Sequence, residues 1–388
     1  MKKISVLTFL LLFNLLVPRV YADDIQEGLK AINQGDYKKA FEKWKTLAEQ
    51  GNQVAQFNLG LMYDKGDGVK QNFPKAVKWY RLAAKQGNAG AQFNLGLMYY
   101  KGEGVPRDYP RAAKWYLYSA KQGNIGAQFN LGWMFDKGEG VTPNYKRAIK
   151  WYRVAANQGH AGAQHNLGSI YEKGEKVKRD IDKAIDWYLK AGEQGNAEAQ
   201  LKLANFYDQG KEIEQDTKKA IKWFKQAAKQ GKVEAQLKLG KLYEKGGGVD
   251  KNYQDAAKWY EAAARKGKRE AQFRLGMIYV QGKGISKNYA RAANWFRLAA
   301  KQGDANAQYN LGRLYEEGDG VEKDFEKAAK WYLLAAEQDH ATAQANLGWM
   351  YVNGKGVEED LDEADKWYRR AEKSGQYSRN KKPQPKRF

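Results

Sequence analysis

Gly138 and Gly140 stand two residues apart in "AQFNLGWMFDKGEGV", Ala127 to Val141. Glycine turns of this kind can bring backbone amides up to a phosphate. That chemistry needs a strand before the loop, a helix after it, and a Lys-Ser/Thr pair or a third glycine in register. Here the preceding segment reads as a helix. The pair also recurs, as Gly66/Gly68 and Gly102/Gly104, always ahead of Val or Ile. A helix-capping turn explains the recurrence, because glycine enters the left-handed region without a Cβ penalty. Lys176 and Glu212 replace the second glycine in two copies, so the turn is expected to need only one positive φ.

Other chemistry-bearing residues fail to assemble. His160 and His165 are five apart across a turn, not four apart on one helix, and no carboxylate completes a zinc pattern around them or His340. No serine has a base or a glycine elbow beside it. Glu358 and Glu359 fall in a loop and read as solvated. The expectation is a protein with no catalytic residue, no cofactor and no metal.

The elements carrying these residues repeat. "AQ" recurs at Ala55, Ala91, Ala127, Ala163, Ala199, Ala235, Ala271, Ala307 and Ala343, every 36 residues. Fixed self-similarity at this period marks a solenoid. In one unit, Ala55, Leu59, Met62 and Tyr63 share one helical face, and Gly66 ends that helix. Asn72 then precedes a second periodic run: Ala76, Trp79, Tyr80, Ala83, Ala84. Asn or Asp occupies that position in all nine units, as an N-cap requires. Leu59 and Ala76 never vary, and Trp79 is Trp nine times. At roughly 1.5–3 kcal/mol per large buried side chain, the Trp79 column is expected to supply much of the cohesion. Gly60 predicts close helix approach. Gln56 is expected to bond backbone between units, and Val69 to tuck under the helices.

The fold expectation is all-α: a right-handed α/α superhelical solenoid of nine 36-residue helix-turn-helix repeats plus an N-terminal partial repeat. Residues 1–22 read as a signal peptide: Lys2 and Lys3, an apolar run from Ile4 to Val17, then cleavage after Ala22. Residues 23–54 form the partial repeat, with Trp44 in the Tyr80 column. Residues 55–378 hold the nine units, and 379–388 a disordered basic tail. Asp365 and Glu372 mark the last helix as a cap. No later segment is apolar enough to span a membrane, and the chain has no cysteine. A periplasmic or secreted location follows. Lys2, Lys3 and Arg19 account for three of the +22 formal charges, leaving about +19 on the mature chain. That balance favours anionic partners; export argues against nucleic acid.

The pattern A-x-x-x-L-G-x-x-Y, a G-x-G-V loop, then A-x-x-W-Y-x-x-A-A resembles the Sel-one-like repeat family, relatives of the tetratricopeptide repeats. The resemblance covers about Gly35 to Ser378. It implies an α/α superhelix that scaffolds protein–protein contacts, in exported members often for envelope assembly, signalling or host interaction. Some exported relatives are cysteine-rich and credited with β-lactam binding. Their cysteine pairs are missing here, so that activity is not carried over.

In a tetratricopeptide-like superhelix, helix A lines the inner surface. On a helical wheel counted from Ala55, with 3.6 residues to each turn, positions 57, 61 and 64 fall on the side opposite the core stripe. The candidate partner-binding residues are Phe57, Leu61, Phe93, Leu97, Phe129 and Trp133, then Phe273, Met277, Tyr309, Arg313 and Trp349. Apolar residues dominate the early and late units. The middle is more basic, with Lys202, Lys238, Lys241 and Arg274. Exposed apolar patches mark interaction sites; the 57 column has the alternative of packing between units. Helix B carries an outer basic stripe, including Lys75, Lys78, Arg81 and Lys85. Either it is simply solvated, or it meets an anionic envelope polymer or lipid head groups. The leading functional expectation is a non-enzymatic scaffold binding a protein or peptide in the groove. The alternative is an adaptor for anionic glycan or lipid, and a cell-wall hydrolase ranks third.

Overall fold

The computed structural model describes residues 19–373. Most of the expected signal segment (1–18), and 374–388 with the basic tail, lie outside the described residues. The described chain is twenty helices with no strand. It divides into two compact units, residues 1–194 and 195–388.

The first unit opens with α1 (Arg19–Gln34) and α2 (Tyr37–Glu49). Four helix pairs follow: α3 (Gln53–Lys65) with α4 (Phe73–Lys85), α5 (Ala89–Lys101) with α6 (Tyr109–Lys121), α7 (Ile125–Lys137) with α8 (Tyr145–Asn157), and α9 (Ala161–Lys173) with α10 (Ile181–Glu193). The second unit carries five pairs, from α11 (Ala197–Gln209) to α20 (Leu361–Lys373). The first helix of each pair is helix A, the second helix B.

Local chemistry sets each boundary. Ahead of helix B, the Asn72 side chain accepts the Lys75 amide at 2.9 Å, and Asp360 accepts that of Glu363 in the last repeat. Each such cap contributes about 1 kcal/mol. Helix A ends at Gly66, whose φ of 80° directs its N–H to the Met62 carbonyl. The fourth and fifth repeats close this turn with one positive φ, at Gly174 and Gly210, as expected from sequence, but the second glycine has a role of its own elsewhere. Gly68 also has a positive φ, 70°, and a Cβ there would lie 2.5 Å from the Tyr37 carbonyl oxygen. The loop crosses the start of the preceding helix B at van der Waals distance, so both glycines are needed for this path. Among the described residues the only non-glycine with positive φ is Asp339. Lys176 and Glu212 therefore leave that path, and Lys176 turns its ammonium onto Asp136 at 2.9 Å.

The core also differs in emphasis from the expectation. The tryptophans of helix B are mostly half-buried; Trp223 and Trp367 are the buried ones, at 6% and 9% exposure. Tyr80, Tyr152, Tyr188, Tyr260 and Tyr332 are 0% exposed. Tyr80 lies over Gly60, where a Cβ would meet its ring at 2.6 Å. The phenol, not the indole, therefore fills the space between helices A and B, with Trp44 (3% exposed) taking the same place in the partial repeat.

Repeats are stitched by glutamines. Gln56 donates to the Ala48 carbonyl of the preceding helix B (3.1 Å) and accepts from Gln86 of its own repeat (2.8 Å). Gln92 and Gln122 repeat the arrangement, as do Gln272 and Gln302. These buried amides give the helix-end carbonyls of Ala48, Ala84 and Ala264 a second donor beside the amides of Gly51, Gly87 and Gly267.

Candidate interaction surface

Helix A exposes less than its own wheel suggests. Because residue 60 is glycine, the Tyr80 ring spreads across helix A toward position 64. Its hydroxyl donates to Asp64 at 3.1 Å. Tyr188 donates to Glu172, Tyr260 to Glu244 and Tyr332 to Glu316, each at 2.5 Å. Burial pushes these phenols well above their ordinary pKa, and burial also raises Asp64 and Glu316. Where the seventh repeat has Val280 at the acidic position, helix B has Phe296, which brings no hydroxyl. In repeats 2 and 3, Tyr100 replaces the acid and Asp136 turns to Lys176. The Tyr116 and Tyr152 hydroxyls are then buried with no hydrogen bond of normal geometry.

The 57 column packs on the same rings. Phe57, Phe93 and Phe129 sit 6.2, 5.9 and 5.9 Å from Tyr80, Tyr116 and Tyr152, and Phe273 sits 6.0 Å from Phe296. Phe129 also stacks on His160 at 4.4 Å, and Tyr309 on His340 at 4.7 Å. Glycines at 90 and 126 make room for the neighbouring phenylalanines: a Cβ there would approach Phe57 and Phe93 to 2.9 and 3.1 Å. This column is half-buried or buried packing between repeats.

The 61 column, one residue on from Gly60, is turned away from the ring, and its members are half-buried apart from exposed Trp133 and buried Arg313. Leu61 and Leu97 are half-buried, and Trp133 is 36% exposed. The Trp133 indole carries Lys137 Nζ over its face at 5.0 Å. In the preceding repeat, the Tyr100 hydroxyl donates to Glu139 at 2.8 Å. Tyr100 meets the Tyr109 ring edge-on at 5.2 Å. In the second unit, Met277 and Trp349 are half-buried. Arg313 is a correction: it is 6% exposed and paired with Glu317 at 2.9 Å, so it does not line an open surface.

The repeat model of the Sel1 family matches this chain nine times without a gap, over residues 53–88, 89–124, 125–160, 161–196, 197–232, 233–268, 269–304, 305–340 and 341–376. The chain is a Sel1-repeat protein. The family register starts where helix A starts, two residues before Ala55. Among solved structures, it is similar to a protective antigen with an SLR fold from uropathogenic Escherichia coli. That match has 38% identity and a TM-score of 0.68, covering 90% of this chain and 76% of that one. It is also similar to a Sel1 repeat protein from Oxalobacter formigenes, at 37% identity and TM-score 0.58, over 62% of this chain and 99% of that one. Comparison with curated proteins gives no match.

Within this Sel1 array the basic middle is paired rather than open. Lys238 reaches back to Asp208 (2.6 Å), Arg274 to Glu244 (2.9 Å), and Lys241 forward to Glu270 (2.8 Å). These charges bridge successive helices A. Part of the helix-B stripe is also engaged: Lys75, Arg111 and Arg147 cover the rings of Tyr63, Tyr99 and Phe135. Arg81 donates to the Tyr99 hydroxyl of the next repeat. The histidines are caps. His160 and His340 accept the Ala163 and Ala343 amides through Nδ1, at 3.1 and 3.2 Å, where neighbouring repeats use Asn88 and Asn124. Burial lowers both histidine pKa values. Among the described residues no cluster of three or more metal-ligating side chains forms, and no helix is long and apolar enough to cross a membrane.

Proposed function

We propose that this chain is an exported, non-enzymatic scaffold that holds a protein or peptide segment on the helix-A face of repeats 1–3. Sel1-repeat proteins are interaction scaffolds. The observation that carries the site is Trp133. It is the one exposed tryptophan among the described large apolar side chains, on a helix-A column whose other apolar members are half-buried. Leu61 and Leu97 precede it at one-repeat intervals, giving an extended partner three apolar footholds in register. Aromatic side chains on such surfaces dominate binding energy. The N-terminal charge-then-apolar order supports export. So does the likeness to a protective antigen, since an antigen must be reachable by antibody.

The test is a photo-crosslinking amino acid at position 133, incorporated in the protein's own cell. A discrete adduct is expected there, and none from the same probe at Lys330 on an exposed helix-B position. No adduct at 133, or the same adducts from both positions, would remove the proposal.

A further inference from the structure

The helix-B face of repeats 1–3 combines two properties that the helix-A site does not use. The first is charge. The sequences of α4, α6 and α8 contain eleven Lys or Arg and no Asp or Glu. Lys78, Lys85, Lys114, Lys121 and Lys150 are exposed, and none forms an ion pair among the described residues. The second is apolar surface at fixed positions between those charges. Leu82 is 38% exposed and Tyr118 is 41% exposed. Leu82 lies four residues after Lys78 and three before Lys85, and Tyr118 stands likewise between Lys114 and Lys121. These offsets put each apolar tip and its lysines on one side of the helix. Half-buried Trp79, Trp115 and Trp151 floor the strip, and Trp115 meets Tyr118 edge-on at 5.7 Å. The 36-residue period sets the full strip twice, in repeats 1 and 2; in repeat 3 half-buried Val154 takes the tip position, Asn157 takes the second-lysine position, and Lys150 continues the charge.

We infer that this face docks on an anionic lipid bilayer, with the lysines at the head groups and Leu82 and Tyr118 dipping into the interface. Charge complementarity selects an anionic partner, since no acidic residue on these three helices opposes it. The apolar tips select a surface that offers hydrocarbon beneath the charge: a soluble polyanion would leave them in water. Tyrosine and tryptophan have the amphipathic shape that settles at the head-group level. Lysines near an anionic leaflet add attraction that decays within a Debye length. This surface is independent of the helix-A site, and one could be present without the other.

The chain has no cysteine, so a single Tyr118→Cys change gives the full chain one site for an environment-sensitive fluorophore. Trp133→Cys gives the helix-A control. The probes are vesicles of phosphatidylcholine alone or with phosphatidylglycerol, with and without a quencher on the acyl chain, and dextran sulfate as a polyanion without hydrocarbon. The label at 118 is expected to shift to the blue and be quenched on phosphatidylglycerol vesicles only, with the label at 133 unchanged. Lys78→Glu, Lys114→Glu and Lys150→Glu together should weaken vesicle partitioning at least about tenfold, with helicity retained by circular dichroism. Leu82→Ser in the 118-labelled chain should weaken it about threefold or more. Unchanged emission at 118, an equal response at 133, or dextran sulfate giving the same blue shift as vesicles would overturn the inference.

Discussion

Gly132 lies directly beneath the Tyr152 ring: a Cβ on residue 132 would stand 2.7 Å from the ring's Cδ1. The ring is fully buried and belongs to the helix B that backs the Trp133 surface. Gly132→Ala must therefore push α7 away from α8. Overpacking of this kind costs about 1–3 kcal/mol, and a lowered urea midpoint should record it. The same relationship recurs at Gly60 with Tyr80 and Gly240 with Tyr260.

The phenol and its carboxylate can be built where they are missing. Phe296→Tyr alone places a buried hydroxyl against Val280, which is 0% exposed. An unsatisfied buried donor costs about 1–3 kcal/mol. Adding Val280→Glu should recover at least about 1 kcal/mol relative to the sum of the two single changes, measured as a double-mutant cycle by denaturant unfolding. Strict additivity would separate the hydroxyl from the acid.

The glutamine ladder lacks its donor in the sixth repeat. Lys266 stands where seven other repeats place a glutamine, and Gln236 Oε1 is buried without a partner, as is Gln344 Oε1 in the last repeat. Lys266→Gln restores a donor and is expected to stabilise the protein by about 0.5–1.5 kcal/mol, read as a raised denaturant midpoint.

Acid should loosen two helix starts. The Nδ1 atoms of His160 and His340 accept backbone amides, which a protonated ring cannot do. Burial, the largest influence on both, lowers their folded pKa; a backbone hydrogen bond opposes it at each, and so does Asp304 at His340. A group with a depressed folded pKa binds more protons when unfolded. Its stability is complete above the unfolded value of about 6.5 and is lost as pH falls from there through the folded value. The melting temperature should drop between pH 7.5 and 5.5. It should drop less in a His160→Asn, His340→Asn double variant, which keeps the caps with a side chain that does not titrate.

The period, the helix pairs, the N-caps and the first glycine were all legible in the sequence, because each depends on local spacing. Three features were not. Position 64 lies opposite the core on a wheel of helix A alone; it joins the core because Gly60 lets a ring from helix B cross that face. The second glycine's role depends on the backbone of the preceding repeat at Tyr37. The burial of Arg313 depends on Glu317 one turn away and on Tyr309 packed beside it. No column signal marked the first: Val280 and Phe296 change together, but Asp208 stands with Phe224 and Val352 with Tyr368. Column 57, read as either surface or packing, fell to packing for the same reason as position 64.

The most direct measurement is the affinity of the partner caught from position 133, by titration calorimetry, for the wild type, Trp133→Ala and Trp349→Ala. Trp133→Ala should bind at least about tenfold more weakly, a loss of about 1.4 kcal/mol, with its melting temperature unchanged. Trp349→Ala, on a half-buried residue of the last repeat, should bind as the wild type does. Equal affinity of wild type and Trp133→Ala, or loss of binding only through loss of fold, would contradict a partner surface centred on Trp133.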